Sequence, residues 1–154
     1  MMPLEWMEQQ IYDNGIEIIP YDFGSQRIRA VYCDDVIGLS PLVDTDREKK
    51  CLLAEEFAHH QLNHGNILKD PHQETIARRS AHDRLIGLDG LIRACEAGCN
   101  SFNEVADYLD VTEEFLNEAI KEYASRYGTH AIKENYIIAF IPNLQIYKAE
   151  RGGN

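Results

Sequence analysis

The ten residues Cys51-Leu52-Leu53-Ala54-Glu55-Glu56-Phe57-Ala58-His59-His60 constrain this chain more than any other stretch. They read as the middle of a helix. Thr45-Asp46-Arg47-Glu48 has the spacing of a capping box, with Thr45 as N-cap and Glu48 reaching back, so the helix is expected to start there. Gly65 supplies a stop after His64. Cys51, Leu52, Ala54 and Ala58 make the helix largely apolar, which predicts substantial burial. The charged residues in it therefore need partners or a metal, because an unpaired buried charge is costly.

Glu55, Glu56 and His59 stand in the order E-E-x-x-H, one residue away from the H-E-x-x-H pattern of zinc peptidases. Positions i and i+4 share a helix face, so Glu55 and His59 are placed to hold one metal ion, with Glu56 leaning towards the same site. Zinc takes carboxylate oxygen almost as readily as imidazole nitrogen, so a first ligand of Glu is chemically permitted. The same short pattern also occurs on solvated acidic helix faces. What favours a site here is the apolar company of the three residues.

A chain of 154 residues is one domain, or one domain with a small appendage, and is long enough to bury a core. With 44% hydrophobic and 27% charged residues it has an ordinary globular composition. No apolar run approaches the roughly 18 residues of a membrane span, and Met1-Met2-Pro3-Leu4-Glu5-Trp6 is too polar for a signal peptide, so a cytoplasmic protein is expected. A net charge of −11 argues against general affinity for nucleic acid. Cys33, Cys51, Cys95 and Cys99 form no CxxC pair and read as free thiols. Cys95 and Cys99 lie a helical turn apart, a metal-binding spacing that core thiols share, and core thiols are the preferred reading.

Taken in order, residues 3–14 predict an amphipathic helix with Leu4, Trp6, Met7 and Ile11 on its apolar side, ended by Asn14-Gly15. Strands are expected at 16–19, 27–32 and 36–39, the last two forming a hairpin across Cys33-Asp34-Asp35. After a loop through Lys69-Asp70-Pro71, a second helix covers about 72–86, where Glu74 heads a stripe of Ala77, Ala81 and Leu85. Glu74 is either a third metal ligand or a carboxylate favoured by the helix dipole. Gly87-Leu88-Asp89-Gly90 is expected to break this helix before 91–97 resume it. Residues 101–116 have the outline of a helix-turn-helix. A DNA-reading role is unsupported, since residues 101–127 carry seven carboxylates against Lys121 and Arg126, a net of −5. Tyr136–Ile141 and Leu144–Tyr147 form a closing hairpin, and Glu150–Asn154 is a tail.

These residues, in this order, resemble the ImmA/IrrE family of zinc metallo-endopeptidases, and most closely its compact members from phages and mobile elements. The likeness rests on Cys51-Leu52-Leu53-Ala54-Glu55-Glu56 with His59, on Gly65-Asn66-Ile67, and on Glu74, Ala77 and Ala81. It continues through Asp110-Val111-Thr112-Glu113-Glu114-Phe115-Leu116 and Asn135-Tyr136-Ile137-Ile138, so that it spans most of residues 10–148. Gly87 stands where the family often has Pro.

The resemblance implies an α+β, zincin-like metallopeptidase core over 1–97, with a small antiparallel sheet packed on the motif helix. Residues 98–154 would add the acidic helical segment and the closing hairpin, packed on the core as one unit. It implies that Glu55, His59 and Glu74 bind Zn2+ and that Glu56 is the general base and acid; zinc there would activate water and polarise the scissile carbonyl. A site this rich in carboxylate also suits manganese or iron. His60, His64 and His82 are further candidates for a ligand or an oxyanion donor, although partly exposed surface positions are expected for all three. Arg78 is a candidate to hold a substrate carbonyl, and with Arg79 is rather expected to pair with the nearby carboxylates. The implied substrate is a helix-turn-helix repressor of the same mobile element, with no direct nucleic-acid or membrane contact. The alternative is a weakly active or inactive member that acts as a protein-binding anti-repressor or toxin-like module.

Overall fold

The structure, a computed structural model, describes residues 2–63 and 71–149. It is an α+β protein whose described residues divide into two compact units, one ending at Leu85 and the other beginning at Ile86. The expected boundary lay between 97 and 98. The helix that precedes it goes with the second unit because it packs on the elements that follow it. Among the described residues no helix is long and apolar enough to cross a membrane.

The first unit comprises α1 (Leu4–Asp13), β1 (Glu17–Pro20), β2 (Ala30–Cys33), β3 (Val36–Leu39), α2 (Asp46–Asn63) and α3 (Pro71–Leu85). Met7 and Ile11 bury the inner face of α1, whereas Trp6, expected on that face, is 55% exposed. Residue 6 lies about 100° round the helix from residue 7, off the Leu4–Met7–Ile11 stripe. The helix closes on Gly15 at φ 78°, where the N–H groups of Gly15 and Ile16 donate to the carbonyls of Tyr12 and Ile11.

Asp34 and Asp35 both have positive φ and make a two-residue turn, which pairs β2 and β3 antiparallel from Cys33↔Val36 to Ala30↔Leu39. β1 then pairs with the other side of β3, in parallel, giving the order β1-β3-β2. The small sheet is thus mixed where an antiparallel one was expected. The reason is geometric: β1 and β2 run in opposite directions with β3 between them, so β3 cannot be antiparallel to both. Between β1 and β2 the chain crosses the outer face of the sheet at Gly38, where a Cβ would stand 3.3 Å from both Tyr21 Cβ and Phe23 Cζ.

α2 starts where the capping pattern placed it. Thr45 Oγ1 accepts the Glu48 N–H at 3.2 Å, while the Glu48 carboxylate turns to Arg29 at 3.5 Å instead of reaching back. The expected burial is present at Cys51, Ala54 and Ala58, joined by Leu53 and Phe57, all at 5% exposure or less, while Leu52 is half-buried. β2 and α3 both pack on this helix. The Gly65 stop, the Gly65-Asn66-Ile67 match and the loop through 69–70 lie outside the described residues. Phe57 also takes the Arg84 guanidinium over its ring at 5.1 Å. Replacing Phe57 by Ala is therefore expected to destabilise the protein by about 3–5 kcal/mol, read as a lower urea midpoint at unchanged slope.

The second unit contains α4 (Gly87–Glu96), α5 (Phe102–Leu109), α6 (Glu113–Tyr127), β4 (His130–Lys133), β5 (Tyr136–Ala139) and β6 (Gln145–Lys148). The break between α3 and α4 falls at Ile86 and Gly87, with Gly87 in the left-handed region at φ 64°, and Gly90, expected within the break, is helical. α4 runs so close to α5 that a Cβ on Gly90 would stand 3.2 Å from Leu109 Cδ2. The helical pair expected over 101–116 forms as α5 and α6, capped by Ser101 and Thr112 and joined through Asp110 in the left-handed region. The closing hairpin is β5–β6, and β4 adds a third strand on its other side.

Candidate metal centre

The sequence E-E-x-x-H-H puts two Glu–His pairs on α2, Glu55 with His59 and Glu56 with His60, turned about 100° from each other by the helical repeat. The two pairs meet different neighbours. His59 is turned towards α3, where its Nε2 stands 3.3 Å from Glu74 Oε2, with the two side chains 14% and 29% exposed. Glu74 reaches this position from the first turn of its helix, at the head of the buried Ala77, Ala81 and Leu85 stripe.

Glu56 faces the β2–β3 hairpin. Its Oε2 accepts the main-chain N–H of Tyr32 at 2.8 Å. His60 follows one turn on, with Nδ1 2.8 Å from the Tyr32 phenol and 3.5 Å from Asp35 Oδ1. Its ring stacks on Phe57 and meets Tyr32 edge-on. Burial raises the Tyr32 phenol above the usual tyrosine range, helped by its side-chain bond to Asp35 and the negative charges of Asp35 and Asp34, and opposed by the Asp35 main-chain N–H. Tyr32 is accordingly a protonated, hydrogen-bonding partner.

Two donors each about 2.0–2.1 Å from one tetrahedral ion stand about 3.3 Å apart, so His59 and Glu74 have the donor types and the separation of two zinc ligands. A neutral or charged hydrogen-bonded pair has a similar separation. Glu55 is half-buried on the His59 side of α2. Among the described residues, however, no three His, Cys, Asp or Glu side chains form a group placed to hold a metal ion. The His59–Glu74 pair fits zinc in donor type and spacing.

The remaining candidates scatter. His82 is buried, at 2% exposure, in the last turn of α3, where a partly exposed histidine was expected. His60 is 18% exposed in its side chain and is committed to Tyr32 and Asp35. Arg78 is exposed on α3, and His64 lies outside the described residues. Tyr32 and Asp35 were missed by the sequence reading. Their only sequence signal is a Tyr three residues before the second Asp of the hairpin turn, which does not by itself point to a helix 24 residues on.

Away from this centre, Cys95 and Cys99 line a cavity of about 420 Å3 in the second unit, with Phe102, Val105, Leu144 and Ile146. Both thiols are half-buried, Cys51 is buried and Cys33 is exposed, and none of the four is in a disulfide. Burial, with the charges of Glu104, Cys95 and Asp107, pushes the Cys99 thiol up. Iodoacetamide at neutral pH is expected to label Cys33 first, Cys99 more slowly and Cys51 last, followed by peptide mass mapping.

No protein-family model matches this chain, and no curated protein and no solved structure matches it. The fold and the site define an α+β protein whose buried helix α2 turns His59 to a second helix and both Glu56 and His60 to a sheet edge.

Proposed function

We propose that this protein is a zinc-dependent endopeptidase, with Glu55, His59 and Glu74 as the metal ligands and Glu56 as general base and acid. The observation that carries the reading is the meeting of His59 Nε2 and Glu74 Oε2 at 3.3 Å across two helices, the two residues that the ImmA/IrrE resemblance pairs at one metal. A zinc ion held there supplies Lewis-acid activation of water and of the scissile carbonyl.

The chain's own residues do the rest. Glu56 keeps one carboxylate oxygen on the Tyr32 N–H, and the carboxylate takes a proton from the attacking water and returns it to the leaving amine. The Tyr32 bond limits the rotation of a side chain that otherwise has several rotamers, which favours a fixed geometry for proton transfer. The proposed substrate is a helix-turn-helix repressor of a phage or mobile element. The cytoplasm, where such a repressor works, is the proposed location.

A second reading has its own support. His59 and Glu74 also satisfy each other as an ion pair, and no three-residue group assembles among the described residues. A non-catalytic anti-repressor or toxin-like binding module on the same fold would carry this geometry. Fluorescein-labelled casein separates the two: the peptidase reading expects hydrolysis with added zinc and its loss with 1,10-phenanthroline, whereas a binding module gives none under either condition.

A further inference from the structure

One residue of a sheet edge holds both members of the second Glu–His pair on α2. The tight turn at Asp34 and Asp35 makes Cys33 and Val36 the closing hydrogen-bonded pair of the hairpin, so Tyr32, opposite Ile37, is in a non-hydrogen-bonded pair. β2 is an edge strand, and the Tyr32 N–H therefore points away from the sheet. An N–H part-buried beside a helix needs an acceptor, and this one finds Glu56 Oε2 at 2.8 Å. The side chain of the same residue reaches His60, with the phenol 2.8 Å from Nδ1. Asp35 braces the phenol from the other side, accepting from it at 3.2 Å and donating its own N–H to it at 3.3 Å.

We propose that Tyr32 is a positioning residue, whose main-chain N–H fixes the Glu56 carboxylate while its phenol fixes the His60 ring, so that the β2 edge sets the place of both groups. This rests on the reading of Glu56 as general base. Glu56 and His60 lie one helical turn apart and lean against a single strand residue, so a shift of the hairpin displaces them together. The bonds differ in what removes them. Tyr32→Phe keeps the ring and the N–H and deletes only the hold on His60. Glu56→Ala deletes the acceptor of the N–H and leaves the phenol in place.

The test uses the full-length chain labelled with 15N, with amide exchange read at Tyr32 and ring nitrogen shifts read at His60. In Glu56→Ala the Tyr32 amide is expected to exchange at least about tenfold faster while Val31 and Cys33 keep their rates; in Glu56→Gln its protection persists. In Tyr32→Phe the Tyr32 amide stays protected and the His60 ring signals move to those of a solvent-exposed histidine. Unchanged Tyr32 exchange in Glu56→Ala or unchanged His60 signals in Tyr32→Phe would each overturn the proposal. A parent protein that cleaves nothing refutes the peptidase reading, and the spectra still decide whether Tyr32 holds the two groups.

Discussion

Alanine in place of His59 is expected to lower zinc affinity by more than about 100-fold and to bring peptide hydrolysis to background. Loss of even an outer-shell partner of a metal ligand costs about 10–100-fold, and here a proposed ligand itself goes. Glu74→Ala should match it, because the two side chains meet at 3.3 Å from different helices and neither has the other's role to spare. The fold is expected to survive both changes. His59 and Glu74 retain 14% and 29% side-chain exposure, so truncation lets water reach the surviving partner instead of stranding it in the core. Zinc titration by calorimetry, with far-UV circular dichroism as the control for folding, checks both variants. An ion pair of purely structural use predicts the reverse pattern, with lower stability and no change in zinc affinity.

Glu56→Gln should lower kcat by about 10²–10⁴-fold, the usual contribution of a positioned acid–base group, and leave zinc affinity within a few-fold of the parent. The amide oxygen of Gln still accepts the Tyr32 N–H, so stability should change little. Glu56→Ala should lose activity equally and also about 1–3 kcal/mol of stability, since it leaves a part-buried edge N–H without its acceptor. The contrast between the two variants separates the proposed proton-transfer role of the carboxylate from its bond to the strand. Steady-state kinetics and urea unfolding on the same preparations measure it.

What could be read from the sequence was local. The capping pattern at Thr45, the apolar run through Phe57 and the stripe below Glu74 fix α2 and α3, because each depends on residues three or four apart. The same logic places α5 and α6 between the Ser101 and Thr112 caps. What the sequence reading missed depends on partners far along the chain. The parallel pairing of β1 follows from β3 being inserted between two opposed strands, a fact of topology that four-residue strands do not encode. β4 escaped because His130-Ala131-Ile132-Lys133 is an edge strand with little buried surface, and Ile132 is 69% exposed. At the site, the spacing of Glu55, Glu56 and His59 gave the right helix. It could not show that Glu56 is bonded to Tyr32, 24 residues earlier, while His59 faces Glu74.

The central claim is that His59 and Glu74, with Glu55, hold a metal. Elemental mass spectrometry on freshly purified protein, alongside the Glu55→Ala, His59→Ala and Glu74→Ala variants, tests it most directly. The account predicts about one zinc per chain in the parent and its loss in all three variants. A parent that is metal-free as purified and stays so after incubation with zinc would contradict it, leaving His59–Glu74 as an ion pair in a protein that works by binding.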